Sequence, residues 1–200
     1  MKRLPSLTVA CLFLFTVAAI SQEKEAKGPE MDKDAMMKVW KEIATPGAHH
    51  DILTKLAGSW ETTSKAWMEP GAPPEETQGT AEFKMVLGGR FLQQEATGEM
   101  MGQPFSGMGL TGYDNFKKQY TMLWVDDSGT AMYTAEGTPD ATGKIITFKG
   151  KSDDWMTGKK DQPVKYVSTI VDNDTQLFEI YGYQDGKEMK MMEMTYKRKK

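Results

Sequence analysis

The chain has 200 residues, with 25 lysines and arginines against 28 aspartates and glutamates, two histidines and a single cysteine. A formal charge of −3 argues against a phosphate-backbone binder, which needs basic clusters, and the only basic run, Lys197-Arg198-Lys199-Lys200, reads as a solvated tail. No nucleic-acid partner is therefore expected.

Met1-Lys2-Arg3 leads into an apolar run from Leu7 to Ile20, which meets small residues at Ala18, Ala19 and Ser21 and turns polar at Gln22-Glu23-Lys24. That is the layout of a signal peptide over residues 1–21, cleaved after Ala19 or Ser21. The run is shorter than the roughly 20 residues of a membrane span, so an exported chain without a span in its mature form is expected, periplasmic or extracellular. Thr8-Val9-Ala10-Cys11 offers a second reading, a lipoprotein signal. Cys11 is the lone cysteine and lies in the removed segment, which leaves the mature chain without disulfide, thiol nucleophile or thiolate metal site.

Residues 22–34 are rich in Lys, Glu, Gly and Pro and read as a flexible leader. Residues 35–57 read as helical: Met36, Met37, Trp40 and Ile43 fall at helical spacing, Pro46-Gly47 is a stop, and 49–56 adds another turn or two. Residues 58–200 read as one β domain, with strands over 59–67, 79–87, 90–97, 105–113, 119–126, 130–137, 144–150, 164–171, 176–183 and 188–197. Between them stand turn residues such as Gly88-Gly89, Asp114-Asn115, Ser128-Gly129, Asn173-Asp174 and Asp185-Gly186. About ten short strands joined by tight turns predict an all-β fold, an up-and-down antiparallel barrel with a short N-terminal helix. Closure removes the two open edges; a sandwich is the alternative.

Turn geometry then assigns faces. A two-residue Asp185-Gly186 loop puts Phe178, Ile180, Met189, Met191 and Glu193 on the better inward face. A two-residue Gly88-Gly89 loop puts Arg90 inward with Phe83, Met85 and Leu87. An inward arginine and carboxylate either neutralise each other or orient a polar group of a ligand in an apolar cavity. Trp124 with Met122, and Tyr133 beside Ala131 and Ala135, could outline a pocket or form ordinary core. The candidate ligand-binding set is Arg90, Gln94, Met122, Trp124, Tyr133, Phe178, Met191 and Glu193.

Other motifs carry less. Methionine is frequent, at 16 residues, and Met189, Met191, Met192 and Met194 cluster, but a strand sends neighbours to opposite faces, against copper ligation. His49-His50 read as a helix start rather than metal ligands or a general base. Gly107-Met108-Gly109-Leu110-Thr111-Gly112 is a literal GxGxxG, but a turn follows it where a dinucleotide site needs a helix. No nucleophile elbow or P-loop is present. No metal and no cofactor are expected.

Several segments in order, Leu87-Gly88-Gly89-Arg90-Phe91-Leu92-Gln93-Gln94-Glu95, Gly102-Gln103-Pro104-Phe105, Gly112-Tyr113-Asp114-Asn115 and Glu193-Met194-Thr195-Tyr196, resemble the bacterial domain-of-unknown-function family numbered 1579. The resemblance runs from about His49 to Lys197. It implies a calycin-like, lipocalin-type barrel and carries no activity. Gly58-Ser59-Trp60 resembles the lipocalin GxW opening, by which Trp60 plugs the barrel base under Arg198. Hairpin parity points Arg198 outward and makes Arg90 the competing partner. The leading functional expectation is a binding barrel for a small, mostly apolar molecule. A hydrolase- or isomerase-type enzyme using an interior carboxylate and a ligand-free interaction module are the alternatives.

Overall fold

The computed structural model describes residues 32–200 apart from 70, 156 and 185. The expected signal peptide, Cys11 and the first ten residues of the leader lie outside the described residues. Two helices, α1 (Lys33–Ala44) and α2 (Ala48–Thr54), precede ten strands: β1 (Gly58–Ala66), β2 (Glu75–Val86), β3 (Phe91–Met100), β4 (Gln103–Asp114), β5 (Gln119–Asp126), β6 (Tyr133–Pro139), β7 (Ile145–Asp154), β8 (Lys159–Ile170), β9 (Thr175–Gln184) and β10 (Lys187–Arg198). Each strand pairs antiparallel with its sequence neighbour, and β1 pairs with β10 to close the barrel. The up-and-down barrel is thus borne out, and among the described residues closure leaves none of the ten strands at an open sheet edge.

Alternation of side chains sets the inner wall. The inward cross-strand row Trp60, Ala81, Ala96, Gly107, Asp126 starts near the beginning of β1 and ends at the last residue of β5. It therefore climbs from one end of the barrel to the other, as strands tilted to the axis require.

The two ends differ. At one, α2 lies across the opening with Leu53 and His50 buried, over Trp60, which has no exposed surface. His50 Nδ1 accepts the Gly47 N–H at 3.0 Å, satisfying one of the free donors at the start of α2. His49 stacks on Tyr113, with ring centroids 3.9 Å apart, and its Nδ1 lies 3.1 Å from the Tyr120 hydroxyl. Burial pushes that hydroxyl up to about 12, and Tyr113 adds to the effect. Both histidines pin a helix to a barrel end. By contrast α1 has no buried residue. The side-chain amide of Asn115 holds its C-terminal end by donating to the Ile43 and Thr45 carbonyls.

Two expected orientations are corrected. The β2–β3 connection is four residues long, Leu87 to Arg90, and Val86 pairs with Phe91. Three successive residues adopt left-handed backbone, Leu87 (φ 49°), Gly88 (φ 68°) and Gly89 (φ 80°), which the adjacent glycines make inexpensive. Arg90 therefore sits in the turn, exposed, and its guanidinium donates back to the Leu87 and Gly88 carbonyls.

In the β9–β10 hairpin the register expected from the turn holds as far as Lys190 opposite Tyr181, and then Met191 is skipped, so that Met192 faces Ile180 and Glu193 faces Glu179. A bulge of one residue reverses every side chain beyond it. Glu193 consequently points outward, and Met192, Met194, Tyr196 and Arg198 point inward. The apolar pattern accounts for the bulge: without it Glu193 would be buried and the methionines on either side exposed.

The same bulge brings Arg198 to Trp60, its cross-strand partner. The guanidinium carbon lies 4.1 Å from the indole centroid, and the group donates to the carbonyls of Ala57 (2.7 Å), Lys55 (2.7 Å) and Asn173 (2.9 Å). Trp60 Nε1 donates to the Leu56 carbonyl at 3.0 Å. Arg198 thus ties the end of the last strand to the end of α2 and to the β8–β9 turn, as the lipocalin-type likeness implies, and Arg90 is not its competitor.

Candidate functional site

The closed half of the barrel is filled by its own side chains: Trp60, Phe83, Leu92, Tyr120, Phe148 and Tyr196 are all buried. Toward the other end the inner wall changes character. Many inward positions are small, including Ala81, Ala96, Gly107, Gly109, Ala135 and Gly150. The large side chains among them, Trp124, Tyr133, Phe178, Ile180, Met192 and Met194, are only partly buried. Each has its own strand behind it, so its remaining exposure is toward the barrel axis. The interior of the half away from α2, the lumen, is thus lined largely by apolar side chains that are not fully sealed.

Trp124 shapes the wall. Its indole lies flat across Gly107 and Gly109, where a Cβ at position 107 would collide with the six-membered ring and one at 109 would fall 3.1 Å from it. Only glycine permits so close an approach. The GxGxxG stretch is therefore an indole platform within a continuous strand, followed by a turn, and Gly112 supports Phe91 on the outside in the same way. Trp124 Nε1 donates to Asp126 Oδ2 at 2.8 Å, and Phe105 lies nearly parallel to the indole with centroids 6.5 Å apart.

Five of the eight candidate residues share this inner wall. Gln94, Trp124 and Tyr133 fall on one cross-strand row with Phe83 and Gly109; Met122 faces inward on the next row, opposite Ala135. Phe178 stacks on Tyr166, with centroids 6.0 Å apart. Gln94 Nε2 donates to the Tyr196 hydroxyl at 3.1 Å, and burial pushes that hydroxyl up to about 12. Opposite Tyr196 on β9, Gln176 is buried, and its Nε2 is the one buried side-chain polar atom without a hydrogen-bond partner among the described residues.

The other three stand apart. Arg90 belongs to the closed end, where its charge, after burial and His49, helps to hold His50 below the usual imidazole range. Met191 is the extra residue of the bulge, half exposed, with its sulfur 2.5 Å from where a Cβ at Gly182 would lie. Glu193 belongs to an ion cluster on the outer wall, where Lys190 bridges Glu179 (2.5 Å) and Glu193 (2.7 Å) and the Tyr181 hydroxyl donates to Glu179 at 2.8 Å. Burial alone would raise the Glu179 carboxyl, but hydrogen bonds from Lys190 and Tyr181 outweigh it and hold the group low. The same two carboxylates hold Lys190 above the usual ammonium range, against its partial burial. Sequence reasoning placed Ile180 inward but missed Tyr166, Met192, Met194 and Asp126 as wall residues. The Met191-Met192 doublet, which breaks the alternation of β10, was the signal available.

A concavity of about 850 Å³ lies on the outside of the wall between Phe91, Leu110, Leu123, Met132 and Lys149, open to solvent. Among the described residues no group of His, Cys, Asp and Glu is arranged to hold a metal, and no helix is long and apolar enough to cross a membrane.

Residues 45–198 match the family described as "Protein of unknown function (DUF1579)". No curated protein matches the chain. Among solved structures, Rv2717c from M. tuberculosis superposes with a TM-score of 0.57 at 18% identity, over 78% of this chain and 100% of that one; the likeness is one of fold. A redesigned β-barrel aligns over 74% of this chain and 95% of its own at 15% identity, with a TM-score of 0.39.

Proposed function

The chain belongs to the DUF1579 family of proteins of unknown function, and within that family we propose that it is an exported carrier holding a small, mostly apolar molecule in the half of its barrel away from α2. One observation carries the reading: Trp124, Tyr133, Phe178, Ile180, Met192 and Met194 point inward yet are incompletely buried, whereas nearer α2 Trp60, Phe83, Leu92, Tyr120, Phe148 and Tyr196 are buried. Large apolar side chains left partly wet are costly unless something covers them. Export rests on the N-terminal pattern of basic residues, apolar run and small residues.

The interior-carboxylate alternative loses Glu193, which lies in the outer ion cluster, and Asp126, the carboxylate that does face inward on β5, is bonded to Trp124 and Ser128.

A neutral fluorescent probe, N-phenyl-1-naphthylamine, tests the carrier reading. Binding with a micromolar Kd is expected, together with its loss in Ser64→Phe. Ser64 faces the lumen opposite Met194 and is only partly buried, so the ring has room to occupy the cavity without entering the packed floor. An unaltered affinity in a folded Ser64→Phe protein would place the probe elsewhere and count against the reading.

A further inference from the structure

The charge and geometry at the mouth of the lumen narrow the class of molecule it would hold. Between the rim and Arg198 at the floor, no inward position of the ten strands carries a lysine or arginine among the described residues. Arg198 is fully engaged by Trp60, three carbonyls and Asp174. Arg90 is outside the lumen. Lys160 and Lys187 stand at strand ends on the rim, exposed. A carboxylate or phosphate carried into this lumen would therefore lose its water and gain no cation, which is strongly unfavourable.

The mouth offers the opposite. The indole of Trp124 is fixed with one face on Gly107 and Gly109 and its Nε1–H on the Asp126 carboxylate. Its other face is directed to the lumen, with Phe105 nearly parallel beside it and Tyr133 its cross-strand partner. Asp126 faces inward at the last position of β5 and is partly exposed. Its other oxygen, Oδ1, accepts from Ser128, so the carboxylate is held in place, bonded to neutral groups and paired with no cation among the described residues. An aromatic face with a fixed carboxylate at its edge is the arrangement that attracts ammonium groups, and indole is the best of the aromatic partners.

We propose that Trp124 and Asp126 form a recognition site for an organic cation, a quaternary or protonated tertiary ammonium whose apolar body occupies the lumen beneath. The site rests on the carrier reading and specifies the headgroup that the carrier selects.

Calorimetric titration with three ten-carbon probes, decyltrimethylammonium, 1-decanol and decanoate, separates the two claims. The cation is expected to bind at least about tenfold more tightly than decanoate, the difference of roughly 1.4 kcal/mol that one aromatic contact with a cation supplies. That preference should fall to within about threefold in Asp126→Asn and in Trp124→Leu, while 1-decanol affinity, which also reports folding, stays within about threefold. Glu99→Gln, an outward charge removed from the rim, should leave the preference intact. Binding of 1-decanol with equal affinity for the two ions, or tighter binding of decanoate, overturns the cation site and leaves the carrier. A preference that survives Asp126→Asn, or that falls equally in Glu99→Gln, also overturns it. Binding of none of the three overturns the carrier reading and the cation site with it.

Discussion

Replacing Arg198 with alanine removes the contact that joins the last strand to the first strand, α2 and the β8–β9 turn at the closed end of the barrel. The guanidinium stacks on Trp60 at 4.1 Å and donates to carbonyls of Lys55, Ala57 and Asn173, two of which close α2 over the floor. A cation over an indole contributes roughly 0.5–2 kcal/mol depending on desolvation, and hydrogen bonds from a charged donor about 1.5–3 kcal/mol each when buried. Arg198 is only partly buried, so water can replace it at some of the carbonyls, and the contact with the exposed Asp174 adds little. The net loss should be about 3 kcal/mol, or roughly 6–12 °C in Tm for a chain of this size. Urea denaturation followed by tryptophan fluorescence measures it. Arg198→Lys should recover less than half, because one ammonium cannot reach three divergent carbonyls while covering the ring. A loss below about 0.5 kcal/mol, the scale of an ordinary surface change, or full rescue by lysine, would refute the role assigned to this closure.

Three further outcomes follow from the geometry. Gly107→Ala should force the Trp124 indole off its platform, at a cost of about 1–3 kcal/mol for overpacking; a crystal structure of the variant with the indole unmoved would contradict the close approach at this glycine. Glu179 is held below its unfolded value, near 4.3, so it contributes stability above that pH and loses it as the pH falls through the lower folded value. In Lys190→Met burial is no longer opposed by the ammonium, and urea midpoints should fall less steeply between pH 6 and pH 3 than in the unaltered protein; parallel profiles would show that the outer ion cluster is not coupled to folding. His50 is also held low, by burial, then His49 and Arg90. The unfolded chain therefore takes up the proton first, and stability drops as the pH falls below about 6.5; His50→Gln should flatten that part of the profile.

The barrel was legible because its evidence is repetitive. Turn residues recur between alternating segments, and each hairpin pairs with the next. The two side chains on which the expected site depended were not legible, because each hung on a single count. The β2–β3 ladder keeps the expected register but ends one pair early, at Val86 and Phe91, which leaves Arg90 in the turn, whereas one extra residue at Met191 reversed Glu193 and Arg198 together. Parity has no tolerance for an error of one. Residues placed by longer alternation, Met122 with Trp124 on β5 and Tyr133 with Ala135 on β6, were read correctly as sharing a face. The glycines of β4 could be recognised as unfit for a nucleotide, but their use as a platform depends on Trp124 across the pair, which no local pattern contains.

The central claim is that the inward aromatic and methionine side chains away from α2 surround a molecule rather than one another. Native mass spectrometry of the protein purified from its own host tests this directly, with Ser64→Phe purified in parallel. A bound small molecule on the unaltered protein, absent from the folded variant, is the predicted result. Bare protein in both preparations, together with no uptake of N-phenyl-1-naphthylamine, would contradict it.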